Sequence, residues 1–203
     1  GLYTLYLRGR ENGEKVDRKR VISSVSRCLN PYEKAGYDAM MQVAESDDLE
    51  YIVSNTTEAG IVYDPACRKE DCPPASFPAK LTQVLYRRWQ AGKKPVVILS
   101  CELIDNNGKE LQKCVEQYIG QWGLEEAFRA WCGSCTFCST LVDRIVPGRI
   151  KDAAEAARME EENGYHDELI DVGEVFGVWN IEGPSWLEEQ LPFKAAGLNC
   201  IVV

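Results

Sequence analysis

Five of the nine cysteines in this chain have spacings that are common in metal sites. Cys67 and Cys72 form a Cys-x4-Cys pair, and Cys132 and Cys135 form a Cys-x2-Cys pair, both in segments predicted to be loops. A structural zinc site typically takes its thiolates from two such pairs. The alternatives are an iron–sulfur cluster that also uses Cys138, and thiols that bind nothing, some of them as buried apolar residues.

A polar segment at 54–60, Ser-Asn-Thr-Thr-Glu-Ala-Gly, follows a short apolar run that predicts a buried strand. In open α/β sheets, ligands bind beyond the carboxyl ends of the strands. Asn55, Thr56 and Thr57 could therefore hydrogen-bond a ribose or a nicotinamide amide. Glu58 could act as a base or proton relay. The alternative is a turn whose side chains cap only backbone groups.

Two further acidic positions come at the ends of predicted strands. Glu102 follows an apolar run, so its carboxylate could bind sugar hydroxyls or accept a proton, or it could belong to a surface turn. Asp143 and Arg144 are adjacent, and neighbouring side chains of a strand point to opposite faces, so the two cannot pair with each other. One could contact a substrate while the other forms a structural ion pair, or both could be structural.

Composition excludes several classes of partner. The chain has 23 basic and 32 acidic residues, a net charge of −9, which argues against nucleic acid because phosphate binding needs clustered Lys and Arg. No apolar run approaches the roughly 20 residues that span a bilayer. Without a secretory context, we expect reduced thiols and a cytoplasmic protein. The one histidine, His166, lies among acidic residues and is interpreted as a solvated loop residue.

The pattern of apolar positions predicts the elements that hold these residues. Apolar segments alternate with helical patterns, which is typical of an α/β fold with a largely parallel sheet and flanking helices, here in one domain. Predicted strands are 1–8, 21–29, 49–53, 95–100, 140–146, 174–181 and 199–203, with a turn at 11–14. Predicted helices are 31–44, 76–90 with Ser76 as its cap, one that starts with an Asn107–Glu110 capping pair, 124–131, and 151–163 followed by Gly164.

Four segments resemble the mannitol dehydrogenase group of long-chain polyol and uronate dehydrogenases. They are Gly-Leu-Tyr at 1–3, the segment 54–60, Ser-Cys-Glu at 100–102, and the Phe-x-x-x-hydrophobic-Val-Asp-Arg-Ile-x-Pro block at 137–147. The resemblance implies a Rossmann-like fold and a hydride transfer between NAD(H) and C3 of a sugar acid, either tagaturonate or altronate. Leu103 stands where the mannitol branch has Asn, which favours the uronate branch; a fructuronate reductase or polyol dehydrogenase is the alternative.

The resemblance also assigns roles to residues of this chain. On the cofactor side it places Asn55, Thr56 and Thr57, and on the substrate side Glu58, Glu102, Asp143 and Arg144.

Two family signatures have no match in this chain. They are the Gly-rich dinucleotide turn with its first strand, and the catalytic Lys-x4-Asn-x2-His helix. We therefore expect residues 1–203 to be part of a nucleotide-binding domain, without the helical catalytic domain, with no catalytic residue of its own and inactive alone. A hypothesis of another class is a zinc-stapled binding module without redox activity.

Overall fold

A computed structural model describes residues 2–203. Its strands are β1 (Tyr3–Glu11), β2 (Glu14–Ile22), β3 (Tyr51–Ser54), β4 (Val97–Ser100), β5 (Thr136–Asp143), β6 (Gly148–Arg149), β7 (Asp171–Glu174), β8 (Val178–Glu182) and β9 (Asn199–Val202). Its helices are α1 (Lys34–Ala44), α2 (Phe77–Gln90), α3 (Asn107–Gln121), α4 (Glu126–Cys132), α5 (Ala153–Asn163) and α6 (Leu187–Gln190). Among the residues described, no helix has both the length and the apolar character needed to cross a membrane.

The chain divides into two compact units. One comprises the chain up to Cys28 together with Asp143–Val178, and the other comprises Leu29–Val142 together with Trp179–Val203. Each unit is built around its own sheet.

The first unit contains a four-stranded sheet in the order β2-β1-β7-β6. Asn12 and Gly13, with φ of 53° and 86°, form a two-residue turn that pairs β1 with β2 in antiparallel register. Such turns favour Asn-Gly because both central residues need positive φ. The predicted turn is confirmed, but the predicted returning strand at 21–29 is wrong. The tight turn starts the returning strand immediately, at Glu14.

The second unit contains a five-stranded sheet in the order β3-β4-β5-β8-β9. Strands β3, β4 and β5 are parallel to one another. Alternate residues of β4 face opposite layers: Ile98 packs with residues of α2, α3 and α4, whereas Val97 and Leu99 pack with Ile181 and Leu187. All four residues of β4 are buried, as expected for a central parallel strand covered on both faces.

Two predicted strands have different bounds in the structure. Strand β5 begins at Thr136 instead of at residue 140, because Cys138 is a buried strand residue and not part of a loop. The predicted strand 174–181 is two strands, β7 and β8, which belong to different sheets. Both errors arise because sheet pairing, and not local composition, decides where these strands begin and end.

Candidate functional site

The last residues of β3 and β4 lie side by side in the second unit, next to the middle of the parallel strand β5. Ser54 of β3 is in register with Ser100 of β4, which is in register with Ser139 of β5. We call these three residues the serine row. Because the strands are parallel, the segments that follow β3 and β4 leave the sheet at the same edge, where Rossmann-like folds bind ligands, whereas β5 continues to Asp143.

Glu102, two residues beyond β4, is buried beneath this edge. Only 1% of its surface is exposed. Its Oε2 accepts a hydrogen bond from Ser54 Oγ at 2.9 Å, and its Oε1 accepts from Thr56 N at 3.1 Å and Thr56 Oγ1 at 2.9 Å. The Glu102 carboxylate therefore joins the end of β4 to the loop after β3, and both of its oxygens are used within the protein.

Asn107 makes the corresponding connection to β5. Its Nδ2 donates to the carbonyl oxygens of Glu102 and Thr140, each at 2.8 Å. Its Oδ1 accepts from Thr140 N at 2.9 Å. The predicted capping role of Asn107 with Glu110 is wrong: the N-cap residue of α3 is Asn106, in the left-handed region with φ of 54° and no side-chain cap bond. The buried amide of Asn107 bonds instead to the backbone of Glu102 and Thr140.

The loop after β3 presents different residues to solvent. Asn55, Thr57 and Glu58 are exposed, whereas Thr56 is half-buried and bonded to Glu102. Thr57 adopts a φ of 70°, and Gly60 N donates to Thr57 O at 3.1 Å, which closes a turn. A β-branched residue with positive φ is strained, and such strain tends to be retained at binding loops.

Asp143 and Arg144 occupy the end of β5 and the residue after it. Asp143 is exposed. Arg144 is half-buried, and its Nε donates to Phe176 O at 3.0 Å. The guanidinium of Arg144 thus supports the turn between β7 and β8, which gives this residue a structural contact.

A sequence model of the family described as mannitol dehydrogenase Rossmann domain matches residues 2–195. The chain belongs to this family. It is 47% identical to the altronate oxidoreductase of Bacillus subtilis (strain 168), 44% to that of Cronobacter sakazakii and 41% to that of Bacteroides thetaiotaomicron. Each match covers 100% of this chain and 42% of the relative, so the chain spans less than half the length of these curated relatives.

Solved structures show the same fold as this mannitol dehydrogenase Rossmann domain. The Pseudomonas fluorescens mannitol 2-dehydrogenase ternary complex with NAD and D-mannitol matches with a TM-score of 0.74 and 21% identity, over 100% of this chain and 42% of that chain. A substrate-free D-sorbitol dehydrogenase matches with a TM-score of 0.72 and 22% identity, over 98% of this chain and 42% of that chain. The predicted Rossmann-like α/β fold and the family resemblance are confirmed.

The structure gives no support to the predicted zinc site at Cys67, Cys72, Cys132 and Cys135. Cys67 is buried and accepts a hydrogen bond from Ser76 N at 3.4 Å, whereas Cys72 is exposed. Cys132 and Cys135 are buried in a separate apolar cluster that Cys67 does not belong to. In residues 2–203, no group of three or more His, Cys, Asp or Glu side chains is arranged to hold a metal, so the iron–sulfur alternative and the zinc-stapled module are not supported either.

Burial keeps two of these thiols protonated in this Rossmann domain. It raises the pKa of Cys132 to about 12 and the pKa of Cys135 to about 11. The short Cys-x2-Cys spacing here reflects apolar packing at the end of α4 and the start of β5.

Three contributors to this edge of the mannitol dehydrogenase Rossmann domain were not predicted. Ser54 and Asn107 take part through side-chain hydrogen bonds, and Gly108 through the close approach of its Cα to Cys138. The polar segment Asn106-Asn107-Gly108 could have been predicted to contribute, because it comes after a buried strand, as the segment 54–60 does. The burial of Glu102 had no local signal, because it depends on the neighbouring strand.

Proposed function

We propose that the complete protein containing this chain is an NAD(H)-dependent oxidoreductase that interconverts tagaturonate and altronate. The observation that carries this proposal is the 41–47% identity with altronate oxidoreductases along the whole chain. Residues 1–203 contribute part of the nucleotide-binding domain of this enzyme.

The exposed residues after β3 fit a nicotinamide nucleotide. Asn55 offers an amide donor and acceptor, and Thr57 offers a hydroxyl, which suit ribose hydroxyls and a carboxamide. Both lie beyond the carboxyl end of a parallel strand, the position at which this fold binds dinucleotides. NADH, when bound, supplies the hydride that reduces the keto carbon. Asn55 and Thr57 orient the nicotinamide nucleotide. Thr56 does not contact it, because its N–H and hydroxyl are bonded to Glu102.

Two carboxylates belong to the substrate side of the proposal. The exposed Glu58 relays a proton to or from solvent, and the exposed Asp143 accepts hydrogen bonds from sugar hydroxyls. The proton donor is a Lys of the helical catalytic domain that the family resemblance implies, so residues 1–203 alone do not turn over substrate. The nine free thiols fit a cytoplasmic location, where thiols stay reduced.

Fluorescence titration of the full-length protein with NADH tests the cofactor assignment. Wild type is expected to bind, and Asn55→Ala to raise the Kd of NADH about tenfold, the effect of losing one hydrogen bond of ordinary strength. The matched control is Asn199→Ala, another exposed Asn of the same unit, which should leave the Kd unchanged. Absence of NADH binding by wild type, or equal effects of the two variants, would contradict the assignment.

A further inference from the structure

We propose that Glu102 is a positioning residue that fixes the backbone of the loop after β3, and that it does not contact the substrate. This inference rests on the proposed function in one respect, since it takes that loop to be the cofactor-binding segment. It departs from the family-based expectation that the Glu102 carboxylate faces a sugar.

The first observation is how completely the carboxylate is used. Glu102 is 1% exposed, and it accepts three hydrogen bonds from Ser54 and Thr56, one of them from the Thr56 backbone N–H. To meet a substrate hydroxyl it would have to give up these bonds and leave a buried site. A buried carboxylate that loses its partners is strongly disfavoured.

The second observation is that Glu102 is itself held in place. Asn107 Nδ2 donates to the backbone oxygen of Glu102, and the same amide nitrogen donates to Thr140 O. One continuous set of hydrogen bonds therefore runs from Thr56 through Glu102 and Asn107 to Thr140, from the loop after β3, past the end of β4, to the middle of β5. Because Glu102 is bonded to Asn107, which is bonded to β5, its carboxylate holds the loop after β3 in a fixed position relative to β4 and β5.

The consequence is a loop whose binding residues are set before the ligand arrives. Glu102 holds Thr56 through its N–H and its hydroxyl. The neighbouring residues Asn55 and Thr57, which are exposed, are therefore kept in one conformation. A loop ordered in advance costs less to immobilise when a ligand binds, which increases affinity without any added contact.

The serine row supplies a matched pair of variants. Ser54 Oγ donates to Glu102, whereas Ser100 Oγ, in register beside it and 0% exposed, has no hydrogen-bond partner among the described residues. Ser54→Ala removes one bond to the carboxylate. Ser100→Ala removes the same atoms from the neighbouring position and removes no bond.

The experiment uses the full-length protein in wild-type form and as Glu102→Ala, Glu102→Gln, Ser54→Ala and Ser100→Ala. Amide hydrogen exchange of the segment 54–60 reports loop order, and NADH titration with steady-state kinetics reports function. We expect Glu102→Ala to speed exchange in 54–60 and to raise the Kd of NADH, each about tenfold or more. Ser54→Ala should have a smaller effect in the same direction, and Ser100→Ala none.

Glu102→Gln decides between positioning and chemistry. Its amide oxygen can still accept from Thr56, and its NH2 can donate to Ser54 Oγ, so it should recover most of the loop order and NADH affinity lost in Glu102→Ala. If Glu102→Gln instead keeps slow exchange but loses kcat as severely as Glu102→Ala, the carboxylate acts on the substrate and the inference is overturned.

Unchanged amide exchange of segment 54–60 in Glu102→Ala would also overturn the positioning role of Glu102, whatever happens to kcat.

The positioning role and the proposed function can be tested separately. If wild type binds no NADH, the proposed function fails, while the exchange comparison still decides whether Glu102 orders the loop. If Glu102→Ala does not fold, Ser54→Ala against Ser100→Ala provides the same comparison.

Discussion

Arg88 shows how a single side chain positions the strands that lead to the candidate site. It is 2% exposed, and its guanidinium donates to four backbone oxygens: Ala44 at 3.0 Å, Ser46 at 2.8 Å, Leu49 at 2.8 Å and Lys94 at 2.7 Å. Burial lowers the pKa of Arg88, although guanidinium groups stay protonated in proteins. Arg88 thereby provides a hydrogen-bond donor for the backbone oxygen at the carboxyl end of α1, and it fixes the segments that lead into β3 and β4.

Arg88→Ala should lower the free energy of unfolding by about 3 kcal/mol, because several buried carbonyls lose their donor at once. The control is Arg87→Ala at the preceding position of α2, where a largely exposed ion pair with Glu45 contributes about 0–1 kcal/mol. Urea unfolding of the full-length variants measures both. Equal losses of unfolding free energy in the two variants would show that the four carbonyl bonds of Arg88 stabilise the fold no more than an exposed ion pair does.

The buried cysteines should resist alkylation even at mildly alkaline pH. An ordinary thiol, with a pKa of about 8.5, is largely ionised at pH 9. Burial raises the pKa of Cys132 to about 12 and the pKa values of Cys135 and Cys138 to about 11, so these three stay protonated in the folded protein at that pH. Iodoacetamide should label the exposed Cys28 and Cys72 in the native protein, as read by mass spectrometry.

The same pKa shifts give the sign of a stability effect. Above about pH 8.5 the unfolded chain releases thiol protons that the folded protein keeps, so the folded state should lose stability as pH rises. Rapid labelling of Cys132 in the native state, or added zinc raising the Tm, would contradict this account of the cysteines.

At the scale of elements, the contact of α3 with β5 depends on one glycine. A Cβ on Gly108 would overlap the backbone of Cys138 and Ser139. Gly108 N also donates to Ser139 Oγ at 3.2 Å, which draws the first turn of α3 onto the strand. The close approach brings Asn107 within reach of Thr140, so this packing supports the hydrogen bonds at the candidate site.

Gly108→Ala should therefore destabilise the protein by about 2 kcal/mol or more, the range of an overpacked core position. Gly120→Ala is the control, because it lies in the same helix with no atom near its missing Cβ. There the better helix propensity of Ala should stabilise by about 0.5–1 kcal/mol. Thermal unfolding of both variants tests this, and a loss at Gly120 as large as at Gly108 would argue against the close-packing explanation.

Elements with strong local signals could be predicted from the sequence. Ser76 caps α2 as expected, accepting from Ala79 N at 3.2 Å, and Asn12-Gly13 turns the first hairpin. Features that depend on distant partners could not. The inward orientation of Glu102 depends on donors in β3 and the loop after it. The role of Asn107 depends on β5. Residues adjacent in sequence therefore do not predict either one.

At the scale of the whole molecule, the chain is a mannitol dehydrogenase Rossmann domain. The family match extends over residues 2–195, and the chain covers 42% of its altronate oxidoreductase relatives. The proposed activity is thus a property of the complete protein. The net charge of −9 on residues 1–203 does not attract an anion, so the proposed binding of a sugar acid requires specific side chains.

The measurement that tests the central claim most directly is NADH oxidation by the full-length protein with tagaturonate, fructuronate and fructose offered separately. We predict turnover of tagaturonate with a kcat/KM at least about a hundredfold above the other two, since a site that hydrogen-bonds one sugar acid rejects analogues that leave its polar groups unpaired. Turnover of fructose or fructuronate in preference to tagaturonate, or of none of the three, would contradict the proposed function.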